Sequence, residues 1–246
     1  MAQTDDKATP SFKPLYKQVK ELLIQRLAAG EWLPGAMLPS EIALAAQYGV
    51  SQGTLRKALD EMAAERLVVR YQGKGTCAAQ HNTERSLFQF FHIVGENGER
   101  ELPTSRVISR ECGSATPEEK KALGLPPESE VIRIFRIRDL NDQPTIAEHV
   151  IVSPVLFPDL GEFSDESLPN TLYALYQKKY GVTVGRAIEW LYAVAASEQD
   201  AEFLEVPSGT PLLEIRRIAL DINNRPVEWR LSRCVTRHHH YLSELD

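Results

Sequence analysis

Within residues 38–76 the chain sets two short helices and a basic, glycine-tipped hairpin in immediate succession. Ser40 stands where a helix needs an N-cap, Gly49 where that helix must stop, and Ser51 where a second helix must start. Leu55, Ala58, Leu59 and Met62 then recur at helical spacing and form a stripe to be buried. Gln52, Gly53, Arg56 and Lys57 are left at or near the outer, N-terminal end of that helix. Residues 68–71 read as a strand and 76–78 as its return. Gly73 and Gly75 flank Lys74 at the tip, because a tight hairpin needs backbone angles that glycine tolerates. A capped helix held behind a tight turn fits a DNA major groove, and such a hairpin reaches a neighbouring groove.

The preceding segment supports this module. Pro14 can open a helix in which Leu15, Val19, Leu22, Leu23 and Leu27 recur at helical spacing, and Gly30 ends the run. On the reading helix Gln52 suits an adenine edge, Arg56 a guanine edge or a phosphate, and Lys57 a backbone phosphate. Lys74 suits the minor groove or its rim. Glu41 suits either the orientation of an arginine or acceptance from a cytosine. Taken singly, Arg56 and Lys57 are equally consistent with a solvated helix face. The Gly73-Lys74 pair is not a nucleotide loop, since that pattern needs glycine at position 68, which is Val68.

Residues 12–79 resemble the winged helix-turn-helix of the GntR family of bacterial transcription regulators. The resemblance rests on Pro14-Leu15-Tyr16, Leu38-Pro39-Ser40-Glu41, Val50-Ser51, Thr54-Leu55-Arg56-Lys57-Ala58-Leu59 and Gln72-Gly73-Lys74-Gly75-Thr76. It implies a DNA-binding surface made of Glu41, Ser51, Gln52, Gly53, Thr54, Arg56, Lys57 and the hairpin residues Gln72, Gly73, Lys74, Gly75 and Thr76. One departure is Gln52, where the family often carries arginine; it implies an operator that differs at that base.

The net charge of −6 looks wrong for a DNA binder, but it is unevenly spread. Residues 1–80 carry ten Lys/Arg against eight Asp/Glu, while 81–246 carry 18 against 26, giving +2 and −8. No apolar run approaches the length of a membrane span. Residues 1–10 read as a polar tail without the features of a signal peptide. Cys77, Cys112 and Cys234 are widely spaced, fit a reducing cytoplasm, and read as packing thiols.

After a polar connector at 80–88, the remainder contains an internal repeat. Ala115-Thr116-Pro117-Glu118-Glu119 and Ala196-Ser197-Glu198-Gln199-Asp200 each open a short capped helix. Each is followed by an apolar, arginine-bearing strand (131–138 and 212–218), a turn closed by Pro144 or Pro226, and a further strand. The offset is about 81 residues throughout. One domain built from two related halves on a mostly antiparallel sheet follows. A helix at 171–180 and a strand at 184–195 lie between them. On the strand of the first half, Ile132, Ile134, Arg136 and Arg138 share one face. Two guanidiniums beside apolar surface need anions. Either they pair with Glu148 and its neighbours, or they form a socket for a phosphate or carboxylate ligand.

This half is similar to the UTRA ligand-sensing domain of the HutC type of GntR regulators, which has a chorismate-lyase-like fold. The matching pieces are Arg136-Ile137-Arg138, Pro144 with Glu148, Thr171-Leu172-Tyr173 through Tyr180-Gly181, and Pro226-Val227-Glu228. The resemblance implies that Arg136, Arg138 and Thr171 hold an anion and that Glu148 and Glu228 hold a sugar, as in relatives that take phosphosugars. Cys234, where tyrosine is frequent, and Arg237-His238-His239-His240-Tyr241 depart from the pattern and set a phosphosugar in question. The triple histidine reads as a solvated stretch or, failing that, a metal site.

The expected architecture is therefore α+β, with a winged helix-turn-helix at 12–79, a linker at 80–88 and a chorismate-lyase-like UTRA domain at 89–243. The expected function is a ligand-responsive DNA-binding regulator, a repressor acting as a homodimer on a palindromic operator, modulated by a small anion, with no cofactor and no membrane partner. An enzyme acting on a small anion with a DNA-binding appendage is the alternative. It lacks a spaced nucleophile–base pair, a metal signature and a nucleotide loop. A constitutive architectural DNA binder leaves the acidic remainder without a role.

Overall fold

The structure, a computed structural model, describes residues 13–81, 90–163 and 168–244. The expected tail at 1–10 and residues 82–88 of the expected connector lie outside the described residues. The chain divides into two compact units at Ala79 and Gln80. None of the described helices is long and apolar enough to cross a membrane.

In the first unit α1 spans Leu15–Ala28, α2 Glu41–Tyr48 and α3 Gln52–Ala64. Ser40 Oγ accepts from the Ala43 amide at 3.2 Å and Ser51 Oγ from the Thr54 amide at 3.1 Å, so both expected caps form. Gly49 closes α2 in the left-handed region. α3 buries the four-residue stripe read from the sequence. α1 buries less than its pattern suggests: Val19 and Leu23 are inside, whereas Leu15 and Leu22 are exposed. It packs chiefly on α3, with Arg26 reaching Gln47 and Tyr48 of α2, and so buries only one side.

Strands β1 (Val68–Tyr71) and β2 (Gly75–Ala78) pair antiparallel, and Met37 bridges to Cys77 beside them. At the tip the Lys74 amide donates to the Tyr71 carbonyl at 3.1 Å. Gly75 sits at φ +111°, and a Cβ there would lie 3.0 Å from Met37 Cε. The backbone region favours glycine, while the Met37 methyl, at the end of a flexible exposed side chain, could give way.

The second unit contains β3 (Ile93–Gly95), β4 (Thr104–Ser114), α4 (Pro117–Leu123), β5 (Glu130–Leu140), β6 (Gln143–Val152), a 3-10 turn (Leu160–Glu162), α5 (Leu172–Tyr180), β7 (Val184–Ala195), α6 (Glu198–Leu204), β8 (Pro211–Asp221), β9 (Pro226–Val235) and β10 (His239–Tyr241). Six strands form one antiparallel sheet in the order β4-β5-β6-β9-β8-β7. The repeat is thus one strand longer than the sequence suggested, because β4 and β7 precede α4 and α6 in equivalent places. Both helices start with a capping box, Thr116 with Glu119 and Ser197 with Asp200. Glu119 then holds Arg133 at 2.6 Å and Asp200 holds Arg233 at 2.7 Å, which ties each helix to the sheet.

The two halves meet at β6 and β9, where His149 faces Leu231, Glu148 faces Ser232 and Val150 faces Arg230. An offset of 82 carries Glu148, His149 and Val150 onto Arg230, Leu231 and Ser232. The register maps onto itself when the halves are exchanged, so a pseudo-two-fold axis passes through His149 and Leu231. On one face Ile132, Ile134, Val150 and Val152 pack with Phe157 and with Leu172, Tyr173 and Tyr176 of α5. On the other, Phe135, Ile137 and Ala147 pack with Leu204 of α6.

The His run keeps His238 and His240 exposed, as expected of a solvated stretch, but it also forms a strand. His239 and Tyr241 pair with Gly95 and Ile93 in a two-stranded ladder, which consumes its backbone groups. No group of three or more metal-ligating side chains forms among the described residues. Cys77 and Cys234 are buried as expected of packing thiols, but Cys112 is exposed.

Candidate DNA interface and ligand recess

In the first unit the candidate DNA-reading residues gather at the start of α3 and at the hairpin. Gln52, Gly53, Arg56 and Lys57 are exposed on the first turns of α3, whose amide-rich end favours phosphate. Ser51 and Thr54 are joined by a 2.8 Å hydroxyl bond that completes the cap. Glu41 takes the arginine-orienting role of the two open to it. Its Oε2 accepts from Arg56 Nε at 3.1 Å, and its Oε1 pairs with Arg70, which also pairs with Asp60. One carboxylate at the head of α2 thereby fixes guanidiniums from α3 and β1. The Lys57 ammonium stands 4.2 Å over the Tyr16 ring, leaning towards α1. Gln72, Gly73, Lys74 and Gly75 are exposed at the hairpin tip. Thr76 is not: it is 6% exposed, so its side chain braces the hairpin instead of being presented.

In the second unit a recess of about 450 Å³, mouth included, opens beside α5. Phe90, Phe91, Leu102, Pro103, Leu172 and Tyr173 give it apolar walls, and Asn170, Thr171, Arg138, Arg217 and Arg230 give it polar ones. Thr171 precedes α5 with extended backbone and makes no capping bond, so its hydroxyl is left to the recess. A second hollow of about 320 Å³ shares Phe91 and the same three arginines and reaches Glu148, Ser232 and Cys234.

The floor is a buried charge network. Glu148 accepts on one oxygen from Arg136 Nε at 2.5 Å and pairs there with Arg136 Nη2. Its other oxygen accepts from Arg230 Nη1 and Ser232 Oγ, both at 3.2 Å. Glu228 is gripped by Arg230 through Nε and Nη2, both at 2.9 Å, and by the hydroxyls of Tyr173 at 3.1 Å and Tyr176 at 2.8 Å. Arg217 Nε donates to Glu189 at 2.5 Å, and its Nη2 donates to the Phe90 carbonyl. Arg138 is left over. Its nearest carboxylate oxygen, on Glu148, is 3.8 Å away, its Nε has no hydrogen-bond partner, and its guanidinium lies 4.9 Å over the Phe91 ring.

The electrostatics follow from this geometry. Burial pushes the Arg138 pKa down to about 9; Glu148 works against that, and the like charges of Arg136, Arg230 and Arg217 add to it. Burial would raise the Glu148 pKa, but Arg136, Arg230 and Arg138 outweigh it and hold the carboxyl well below the usual range. For Arg230 burial is outweighed by Glu148 and Glu228, which keep it charged. Burial, then Glu228, pushes Tyr173 up to about 12. Burial also pushes the Cys234 thiol well above its ordinary value, which makes it inert.

These features coincide with known proteins. Residues 15–77 match the model for bacterial regulatory proteins of the gntR family, and residues 99–240 match that of the UTRA domain. A protein of Escherichia coli K12, named a probable fructoselysine utilization operon transcriptional repressor, is 31% identical over 222 residues, 88% of each chain. The chain belongs to the GntR family, with a UTRA domain of the HutC type. The histidine utilization repressor of Pseudomonas aeruginosa is 30% identical over 205 residues, 83% of this chain and 80% of that one. The crystal structure of the ligand-binding domain of a GntR-family regulator from Bordetella bronchiseptica superposes with a TM-score of 0.58 at 30% identity, over 64% of this chain and 98% of that one. The Escherichia coli and Pseudomonas aeruginosa relatives are named as repressors, not enzymes, and the α+β architecture expected from the sequence is that of the matched GntR and UTRA domains.

Of the five effector candidates taken from the resemblance, Arg138 and Thr171 line the recess. Arg136, Glu148 and Glu228 belong to its floor and are engaged with one another and with Arg230 and the tyrosines. Sequence reasoning missed Arg217 and Arg230. The repeat carried the signal: Arg217 is the counterpart of Arg136 at offset 81, and Arg230 that of Glu148 at offset 82.

Proposed function

We propose that this protein is a ligand-responsive repressor that binds a pseudo-palindromic operator as a homodimer and is modulated by a small anion held in the recess of its second unit. Gln52, Gly53, Thr54 and Arg56 read base edges from the start of α3, with Glu41 as the brace that sets Arg56 and Ser51 as the cap. Lys57, Gln72, Gly73, Lys74 and Gly75 engage the phosphate backbone and the adjoining groove. The observation that carries the sensing half is Arg138: a buried guanidinium with an unpaired Nε and no carboxylate closer than 3.8 Å. A ligand anion bridging Arg138, Arg217 and Arg230, with Thr171 donating, supplies the missing charge. The relatives named for fructoselysine and histidine utilization fit a role in controlling catabolism.

The ligand can change operator affinity only by the difference in its own affinity for the two states. A tenfold loss of operator binding needs ~1.4 kcal/mol of that difference. Selection of a duplex from random DNA, followed by titration at several salt concentrations, tests the DNA half. Failure to prefer any duplex over random sequence sinks it. A survey of small anions by thermal shift tests the sensing half, which is lost if none alters both stability and operator affinity.

A further inference from the structure

We infer that the effector is a monocarboxylate with an apolar or aromatic body, and not a phosphosugar; this rests on the anion-sensing role just proposed. Charge is the first ground. Beneath the recess the buried Arg136, Arg138, Arg217 and Arg230 face the buried Glu148 and Glu228 and the partly exposed Glu189, which pairs with Arg217; counting that partner, one positive charge is in excess among these residues. A carboxylate neutralises that excess. A phosphate monoester, at about −1.5 to −2 near neutral pH, exceeds it.

Hydrogen-bonding capacity is the second ground. An ionised carboxylate offers about four acceptor sites. Glu228 receives four bonds, from Arg230 Nε and Nη2 and from the hydroxyls of Tyr173 and Tyr176. Glu148 is equally full, with two contacts from Arg136 and one each from Arg230 and Ser232. The two carboxylates that would take sugar hydroxyls are saturated by protein donors. A hydroxyl-rich body entering this recess loses water and gains few acceptors.

The third ground is the wall. Phe90 and Tyr173 meet edge to face with ring centroids 4.9 Å apart, and Phe91 lies under the Arg138 guanidinium. Leu102, Pro103 and Leu172 complete the apolar walls of the recess that Arg138 also lines. The recess draws its cations from both halves, Arg138 from the first and Arg217 and Arg230 from the second. In the first half Arg136 pairs across strands with Glu148; in the second the equivalent cross-strand pair is Arg217 with Arg230, cation against cation. A guanidinium, Arg230, stands in the second half where the first has the carboxylate of Glu148, and that difference leaves the excess that a ligand anion meets.

The test is calorimetric titration and thermal shift of the full chain with benzoate, 3-phenylpropanoate and hexanoate, against glucose 6-phosphate and inorganic phosphate. The variant Arg138→Met is run in parallel, with its unliganded melting confirming that it folds. The expected result is that at least one carboxylate binds tenfold or more tighter than glucose 6-phosphate, and that Arg138→Met removes that binding. Tighter binding of glucose 6-phosphate that also depends on Arg138 overturns the inference and leaves anion sensing standing. Carboxylate binding of equal strength in wild type and variant overturns the inference as well. Absence of binding by every anion overturns both.

Discussion

Arg138→Met should stabilise the unliganded protein. Folding moves this guanidinium from an ordinary pKa of 12.5 to about 9, chiefly by burial. At 1.36 kcal/mol per unit that shift corresponds to at most ~5 kcal/mol against the folded, charged state. Relaxation of the site lowers the figure, and replacement of poorly compensated buried ions by apolar groups typically stabilises by about 1–4 kcal/mol. For a unit of this size each kcal/mol moves the melting temperature by roughly 2–4 °C. Methionine keeps an unbranched apolar stem that ends about where Nε stands, removes the charge and leaves Glu148 with Arg136, Arg230 and Ser232. The sign across pH is fixed by the depressed pKa: the penalty is full below pH 9 and is released as pH rises from 9 towards 12.5. Calorimetry near neutral pH should therefore show a rise in the melting temperature, and the advantage should shrink in alkaline buffer. A fall of more than ~2 °C would show that Arg138 is a satisfied structural cation and would refute the charge excess.

Other expectations concern DNA and acid. Gln52→Arg should move base preference from adenine towards guanine at one position per half-site, worth about 1–3 kcal/mol there; an unchanged selected sequence refutes the assignment of Gln52 to a base edge. Lys74→Ala should weaken binding to all duplexes alike and flatten the log–log salt dependence by ~0.9 per protomer, whereas an unaltered slope removes the hairpin from the phosphate contacts. Glu119, Glu148, Asp200 and Glu214 all hold their protons less tightly than usual, against the effect of burial: arginines face Glu119, Glu148 and Glu214, and Asp200 accepts from Ser197 as well as from Arg233. Their stabilisation is complete above about pH 4.5 and is lost as pH falls through their lowered values, so melting temperatures should drop steeply below that point. A flat profile between pH 5 and 3 contradicts the weight given to these pairs.

The first unit was legible almost residue by residue, because its signals are local. Ser40, Gly49, Ser51, Gly73 and Gly75 act through their own backbone or a partner three residues away. What differed there depended on a neighbour: Leu15 and Leu22 are apolar at helical spacing yet stay about half exposed among the described residues, and Thr76 turns inward. In the second unit the repeat exposed the two halves, and the capping boxes repeated as expected. The recess was harder, since its charges come from β5, β6, β7, β8 and β9, and strand order decides which arginine meets which carboxylate. Arg136 looked equivalent to Arg138 on one strand face, but Glu148 lies directly opposite Arg136 and leaves Arg138 the worse partnered. The pairing of His239 and Tyr241 with β3 joins segments far apart in sequence and has no local signature.

The most direct measurement is operator affinity of wild type and Arg138→Met, each with and without a saturating carboxylate found by the titrations. The expected result is equal affinity of the two proteins for operator alone, a tenfold or larger change with ligand in the wild type, and no change in the variant. An identical ligand response in both proteins would contradict the assignment of Arg138 as the cation through which the second unit controls the first.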